Sequence, residues 1–429
     1  MERQKPSLIA VRFPALASRD YILFVTGQLI SVIGTWMQST ALPYLAYRMS
    51  GRPLDLGLIG FASTLPTLLF ALPAGVLVER WDKRKTVIIF QAIMSLQAFA
   101  LAYLSYTGKI QMWQITSLAF FYGSAVAVEV TARQAMLIEL TGREALQSAI
   151  ALQTTAFNVG RVLGPLCAAW IIAVTGGESA VFLANGLSFL FVIAGLIIAR
   201  TPYKMAHEPS MNRNLGNEFK EGVTYIKNNA LILSIVLMAA LVGFFGIPLT
   251  QQIPALARDV LRPLLETETM IAQRTSSLYA AQGVGALVAA FMAASMPNSN
   301  KNKMLLLGQI AFIFPIITLG LVTKVNVALL LLVLIGWGTV TQLVMMNTIV
   351  QTDVPDRLRG RVFSVYFWAL QGVAPFGSIV IGWTAQNWSV PAAATFSGTT
   401  CLLGIAIIRT SLGNRQKIGG LTSDKRQGT

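Results

Sequence analysis

Glu129 and Arg133 stand four residues apart in SAVAVEVTARQ (124–134), among small apolar side chains. On a helix that spacing lets the carboxylate meet the guanidinium. A carboxylate partly withdrawn from water beside movable arginines is a group that can take up and release a proton. A further cation, Arg161, lies inside the apolar run 148–174. A charge placed in hydrocarbon costs a few kcal/mol or more, so Arg161 should face a protein interior and meet a carboxylate or an anionic ligand. The same three residues also fit a permanent structural ion pair.

A second charged cluster, GVLVERWDKRKT (75–86), has six charged residues in twelve, in a chain where only 12% are charged. Its Gly75, Leu77, Glu79, Arg80, Asp82, Lys83 and Arg84 fall where one apolar run ends and the next begins. Ion pairs at such a helix end can latch one of two rigid-body states and release the other. The plainer alternative is a cluster that only orients the following span. In NVGRVLGP (158–165), Gly160 and Gly164 put small residues on one helix face, where a neighbouring helix can come close, and Pro165 is expected to bend the helix. Neutral polar and aromatic residues recur within the apolar runs: Gln28, Trp36, Gln38, Gln97, Tyr122, Asn158, Asn185, Gln282, Gln342, Asn347, Tyr366, Trp368 and Gln371. Some of these should turn inward to line a cavity for a moderately hydrophobic ligand with hydrogen-bonding groups, and others should serve packing.

The elements that carry these groups are membrane spans. Of 429 residues 54% are apolar and the mean hydropathy is +0.62, a composition that indicates a polytopic membrane protein. At about 20 residues per crossing, twelve spans are expected, near 21–47, 54–78, 86–107, 111–131, 148–174, 180–199, 230–256, 273–296, 304–323, 327–350, 362–387 and 392–409. The polar stretch 200–229 separates six from six, which gives an N-terminal half (21–199), a linker and a C-terminal half (230–409). With the N-terminal segment 1–20 and the tail 410–429 in the cytoplasm, 25 Lys and Arg fall on the cytoplasmic side and seven on the other. That asymmetry follows the positive-inside rule and sets the orientation of the spans; the expected location is the inner (plasma) membrane. The net charge of +15 thus reads as topology and not as a nucleic-acid site. Asp55 is expected to cap the second span. Cys167 and Cys401 read as small buried or lipid-facing residues, and the lone His207 excludes a histidine metal site or a histidine-based triad. The first apolar run is too long for a cleavable signal.

An offset of 212 residues sets 133–160 over 345–372, so that Glu144 meets Asp356, Leu146 meets Leu358 and Gly160 meets Gly372. With six spans on each side in the same orientation, this supports parallel repeats.

The motif Gly75-x-Leu77-x-Glu79-Arg80-x-x-Lys83-Arg84 resembles the signature turn of the major facilitator superfamily, with Glu79 at the usual Asp and Asp82 at the usual Gly. TARQAMLIEL (131–140), SAIALQTTAFNVGRVLGP (148–165) and VPDRLRGRVFSVY (354–366) are similar to segments of its drug/proton antiporter branch, which contains enterobactin and macrolide exporters. The resemblance covers about 20–410. It implies an all-α fold of twelve helices in two pseudo-symmetric halves, proton-coupled efflux of a drug or siderophore by alternating access, and a monomer with no cofactor beyond the proton gradient. It further implies a gate at 79–85 and a charge relay through Glu129, Arg133 and Arg161. The segment 160–165 resembles an antiporter-associated Gly-Pro motif, although Leu166-Cys167-Ala168-Ala169 replaces its glycine-rich continuation. A non-transporting sensor or scaffold on the same fold is the alternative. An enzyme would need clustered acids or histidines that the spans do not carry.

Overall fold

The computed structural model describes residues 13–199, 215–261, 266–294 and 301–424, and every regular element among them is helical. Five long helices come first: α1 (Arg19–Ser50), α2 (Pro53–Arg80), α3 (Lys83–Tyr106), α4 (Met112–Thr175) and α5 (Ser179–Ile198). The short α6 (Leu215–Asn228) is followed by α7 (Ala230–Leu241), which continues through π and 3-10 turns to Val260. Then come α8 (Glu268–Ala294), α9 (Lys301–Leu319), α10 (Val325–Asp353), α11 (Asp356–Phe367), α12 (Ala374–Asn387) and α13 (Val390–Asp424), with a π turn, Trp368–Gly372, between α11 and α12. His207 lies outside the described residues.

Among the described residues, eleven helical stretches are long and apolar enough to cross a bilayer. One of them, α4, has 64 residues, which at 1.5 Å per residue is about 96 Å, roughly three times a hydrocarbon core. It therefore supplies two crossings. The polar turn expected at 132–147 is helical except at Gly142, because ARQAMLIELTGREALQ is made almost wholly of strong helix formers. Gly142 has φ 74° and ψ 168°, a region open essentially to glycine alone. The offset of 212 carries Gly142 onto Val354, where α10 ends. There Val354 is extended (φ −99°, ψ 132°) ahead of Pro355, and proline disfavours a helical residue before it. Both repeats break at one register by different chemistry.

Contacts divide the chain into two compact units. The first contains Met1–Gly51, Leu65–Pro209 and Leu264–Gly283, and the second contains Arg52–Thr64, Ser210–Pro263 and Val284–Thr429. In the first, α1 lies against α4 and α5, and α3 packs on both of these. Lipid supplies no hydrophobic drive between helices, so close packing depends on small residues. A Cβ on Gly27 would press on the Phe191 carbonyl, and one on Gly195 on the Leu23 carbonyl. At the C-terminal end of α1, Arg48 makes a two-pronged pair with Glu178 at 2.9 Å, and the Tyr44 hydroxyl donates to the backbone oxygen and carboxylate of Glu268. In the second unit, Gly243 faces the Leu370 carbonyl and Gly377 the Phe244 carbonyl, both too closely for any side chain. The π turns of 242–246 and 368–372 dock there. Asp55 sits in the first turn of α2, 4.0 Å from Arg52, and not at the helix cap as expected, because the helix begins at Pro53.

Candidate functional site

Within the first unit a cavity of about 210 Å³ opens between α1, α3, α4 and α5. Gln28, Ser31, Val32, Thr35, Trp36 and Ser39 recur on the α1 face at helical spacing, and Tyr122, Val126, Glu129, Val130 and Arg133 do the same on α4. Gln91 and Met94 come from α3, Phe157 from the later part of α4 and Phe189 from α5.

Glu129 is only 4% exposed. Its Oε1 accepts from Arg133 Nε at 3.0 Å and from Gln91 Nε2 at 2.9 Å. The i,i+4 pair expected between Glu129 and Arg133 is thus formed, and Gln91 completes it. Arg161 stands apart from that pair. Its guanidinium lies 5.5 Å from the centre of the Trp36 ring, and no carboxylate or hydrogen-bond acceptor meets it among the described residues. The expected contact with an acidic side chain is therefore not what the structure holds: Glu129 is engaged by Arg133, and an indole face takes the guanidinium instead. Phe157, one turn earlier on α4, meets the edge of the same ring at 5.3 Å.

Gly160 and Gly164 explain this arrangement. A Cβ on Gly160 would strike Val32 Cγ1, and one on Gly164 would strike Trp36 Cβ, so the glycines let α1 close on α4. Without that approach Trp36 would not reach Arg161. Gly283 of α8 in turn presses on the Arg161 backbone carbonyl. Helix α4 runs through Pro165, and its one non-helical residue is Gly142.

The turn at 79–84 is held within the first unit. Asp82 caps α3 by accepting from the Lys85 amide at 3.0 Å. Lys83, 5% exposed, pairs with Glu139 at 2.7 Å. Arg84 donates to the carbonyls of Ile197 and Ala199 at the end of α5, where the helix leaves carbonyls without partners. Arg80 is exposed in the last turn of α2, and Gly75 has open space where a Cβ would stand. The Glu79 side chain lies outside the described residues.

The amides expected to line one cavity are divided. Gln28 and Trp36 line it, and Tyr122 does too. Gln38 instead joins Gln97 and Asn185 in a buried amide chain, and Asn158 donates back to the Thr154 carbonyl. Gln282 is buried beside Gly283 on α8. In the second unit Gln342 is buried with both amide atoms unpaired, Tyr366 packs on Phe363, and Gln371 lies on a π turn. Sequence reasoning passed over Gln91, Ser31, Thr35 and Phe157. For Gln91 the signal was there, an isolated amide in VIIFQAIM (87–94).

A family model described as transmembrane secretion effector, of the major facilitator type, matches residues 12–423. The chain belongs to the major facilitator superfamily. Among relatives, this major facilitator is 23% identical to the multidrug efflux pump Tap of Mycolicibacterium fortuitum over 84% of the chain and 88% of Tap. It is 23% identical to the enterobactin exporter EntS of Salmonella typhimurium over 89% of the chain and 88% of EntS. An alignment with the uncharacterized transporter YfiS of Bacillus subtilis, also at 23% identity, spans about half of each protein, 53% and 54%. A bacterial homolog of the human lysosomal transporter Spinster, solved in an inward-facing and occupied conformation, superposes with a TM-score of 0.67 at 13% identity, over 95% of this chain and 96% of that one. The fold is that of a major facilitator, an all-α membrane protein of transporter type.

Proposed function

We propose that this major facilitator is a proton-coupled exporter of a small hydrophobic or amphipathic organic compound. It works by alternating access as a monomer in the inner membrane, with both termini in the cytoplasm. One observation carries the reading: a buried carboxylate, Glu129, lines a cavity within reach of an arginine and an amide that can each let go of it. Proton uptake would weaken its hold on Arg133 and couple occupancy of the cavity to the charge state of its wall. The export direction is supported by Tap and EntS, whose names are those of a multidrug efflux pump and an enterobactin exporter.

The test uses inside-out vesicles with an imposed pH gradient and a panel of fluorescent drugs. Wild-type protein should accumulate at least one compound only while the gradient lasts. Glu129→Gln keeps the shape and the Gln91 contact but removes titration. It should abolish gradient-driven accumulation and leave downhill exchange measurable, both normalised to folded protein. Full coupled transport in Glu129→Gln would remove this residue from the mechanism.

A further inference from the structure

A second recess in the first unit has a different character. Between α2, α3 and the first half of α4 lies a groove of about 290 Å³. Phe70 and Leu77 of α2, Phe90 and Ile93 of α3, and Phe121 of α4 supply its bulky side chains. Phe70, Leu77, Ile93 and Phe121 are each more than a third exposed, so the groove opens outward and is no part of the packed core. Its one hydroxyl, Ser124, is already spent, donating to the Phe120 carbonyl at 2.8 Å. No other described side chain in its wall carries a polar atom. A pocket for a ligand with hydrogen-bonding groups needs a few placed polar atoms, and this one offers none. It suits a hydrocarbon chain.

Depth narrows the choice of chain. Phe70 lies ten residues before Arg80, the last residue of α2, and Ile93 ten residues after Lys83, the first of α3. At 1.5 Å per residue both offsets are about 15 Å, the thickness of one hydrocarbon leaflet. The groove therefore lies in the leaflet that meets the turn 81–82, the inner one in the orientation proposed above. Its volume is about twice the roughly 150 Å³ that holds benzene, which is room for about a dozen carbons. A phospholipid is longer than that, so its phosphate falls beyond the lining, at the helix ends. Arg80, three residues past Leu77, and Lys85, in the first turn of α3, are exposed there and form no ion pair among the described residues. Their neighbours are committed, Asp82 to capping α3 and Lys83 to Glu139.

We propose that this groove holds one acyl chain of an anionic phospholipid, whose phosphate is received by Arg80 and Lys85. Cations close to a membrane surface each favour an anionic headgroup several-fold. The chain in turn restores dispersion contacts that an empty recess forgoes. The site is separate from the Glu129 cavity and does not depend on the exporter reading.

The probe is phosphatidylglycerol with a diazirine in one acyl chain, a small fraction of the lipid in phosphatidylethanolamine nanodiscs that hold the full chain. After irradiation, labelling should concentrate on peptides containing Leu77, Ile93 and Phe121. It should exceed that of Leu307 and Ile310, exposed residues at similar depth from the start of α9, by about fivefold or more. The matching phosphatidylethanolamine probe should lose most of this excess. Ser124→Phe, which fills the groove, should abolish the excess for both probes, and Ser124→Leu is the smaller plug if that variant does not fold. Arg80→Gln combined with Lys85→Gln should leave the groove labelled equally by the two probes. The thermal unfolding midpoint of each variant serves as a check on folding. Even labelling of wild-type protein across its spans would overturn the proposal. So would equal labelling of the wild-type groove by the two probes, or an excess that survives in a folded plugged variant.

Discussion

At the residue scale, what matters in each cluster is which charges are already committed. Lys83 and Glu139 form an ion pair with little exposure on either side, and removing one partner of such a pair strands the other charge. Lys83→Met should therefore lower stability by about 2–4 kcal/mol, read as a fall in the thermal midpoint, and adding Glu139→Gln should recover most of the loss. A single mutant as stable as wild type would show that the pair is solvated and carries no weight. The identities of the important charges were legible in the sequence, since Glu129 and Arg161 interrupt apolar runs and Lys83 and Arg133 stand just beyond the ends of such runs. Their partners were less so. These helices are apolar on nearly every side, so no polar face marks which amide turns inward. Gln38 and Gln91 look alike in sequence, yet one is tied to Gln97 and Asn185 while the other holds the Glu129 carboxylate. Arg161 misled for a related reason: an indole face, and not only a carboxylate, can hold a guanidinium, and a sequence does not show which lies closer.

At the element scale, glycines decide what can approach and where helices stop. The spacing of Gly160 and Gly164 was readable, and the structure uses it to seat α1. The position of the break in α4 was not, because a single Gly142 within sixteen residues of strong helix formers looks weaker than the extended turn expected there. Its φ and ψ lie where a Cβ is strongly disfavoured. Gly142→Ala should thus cost about 1–3 kcal/mol, although nothing crowds the site. Gly360→Ala, on helix α11 where a Cβ is equally uncrowded and the backbone is helical, should instead be neutral or stabilising. Thermal melts of the two purified variants make the comparison, and equal losses would mean that the break is set by packing around it.

For the whole molecule, the number of crossings and the fold were legible because the bilayer sets a length that any span must meet. The contact units were not, since α2 and α8 each pass from one unit into the other partway along their length, and hydropathy is blind to which neighbours a span touches. The orientation proposed here makes its own prediction. Cysteines placed at Lys301 and Arg359 should react with an impermeant maleimide only from the cytoplasmic side, and those at Lys109 and Lys324 only from outside. Mixed accessibility at any two of these positions would sink the twelve-span topology.

Trp36, with a guanidinium over one face and the Phe157 ring at its edge, has an optical consequence. A fixed positive charge near an indole shifts the energy of its excited state, so the colour of its emission registers the local field. Among the eight tryptophans of the chain, this one doubles as a voltmeter for the cavity. The difference spectrum between wild-type protein and Trp36→Phe isolates its signal, and any event that neutralises or displaces Arg161 moves that band without a label being attached.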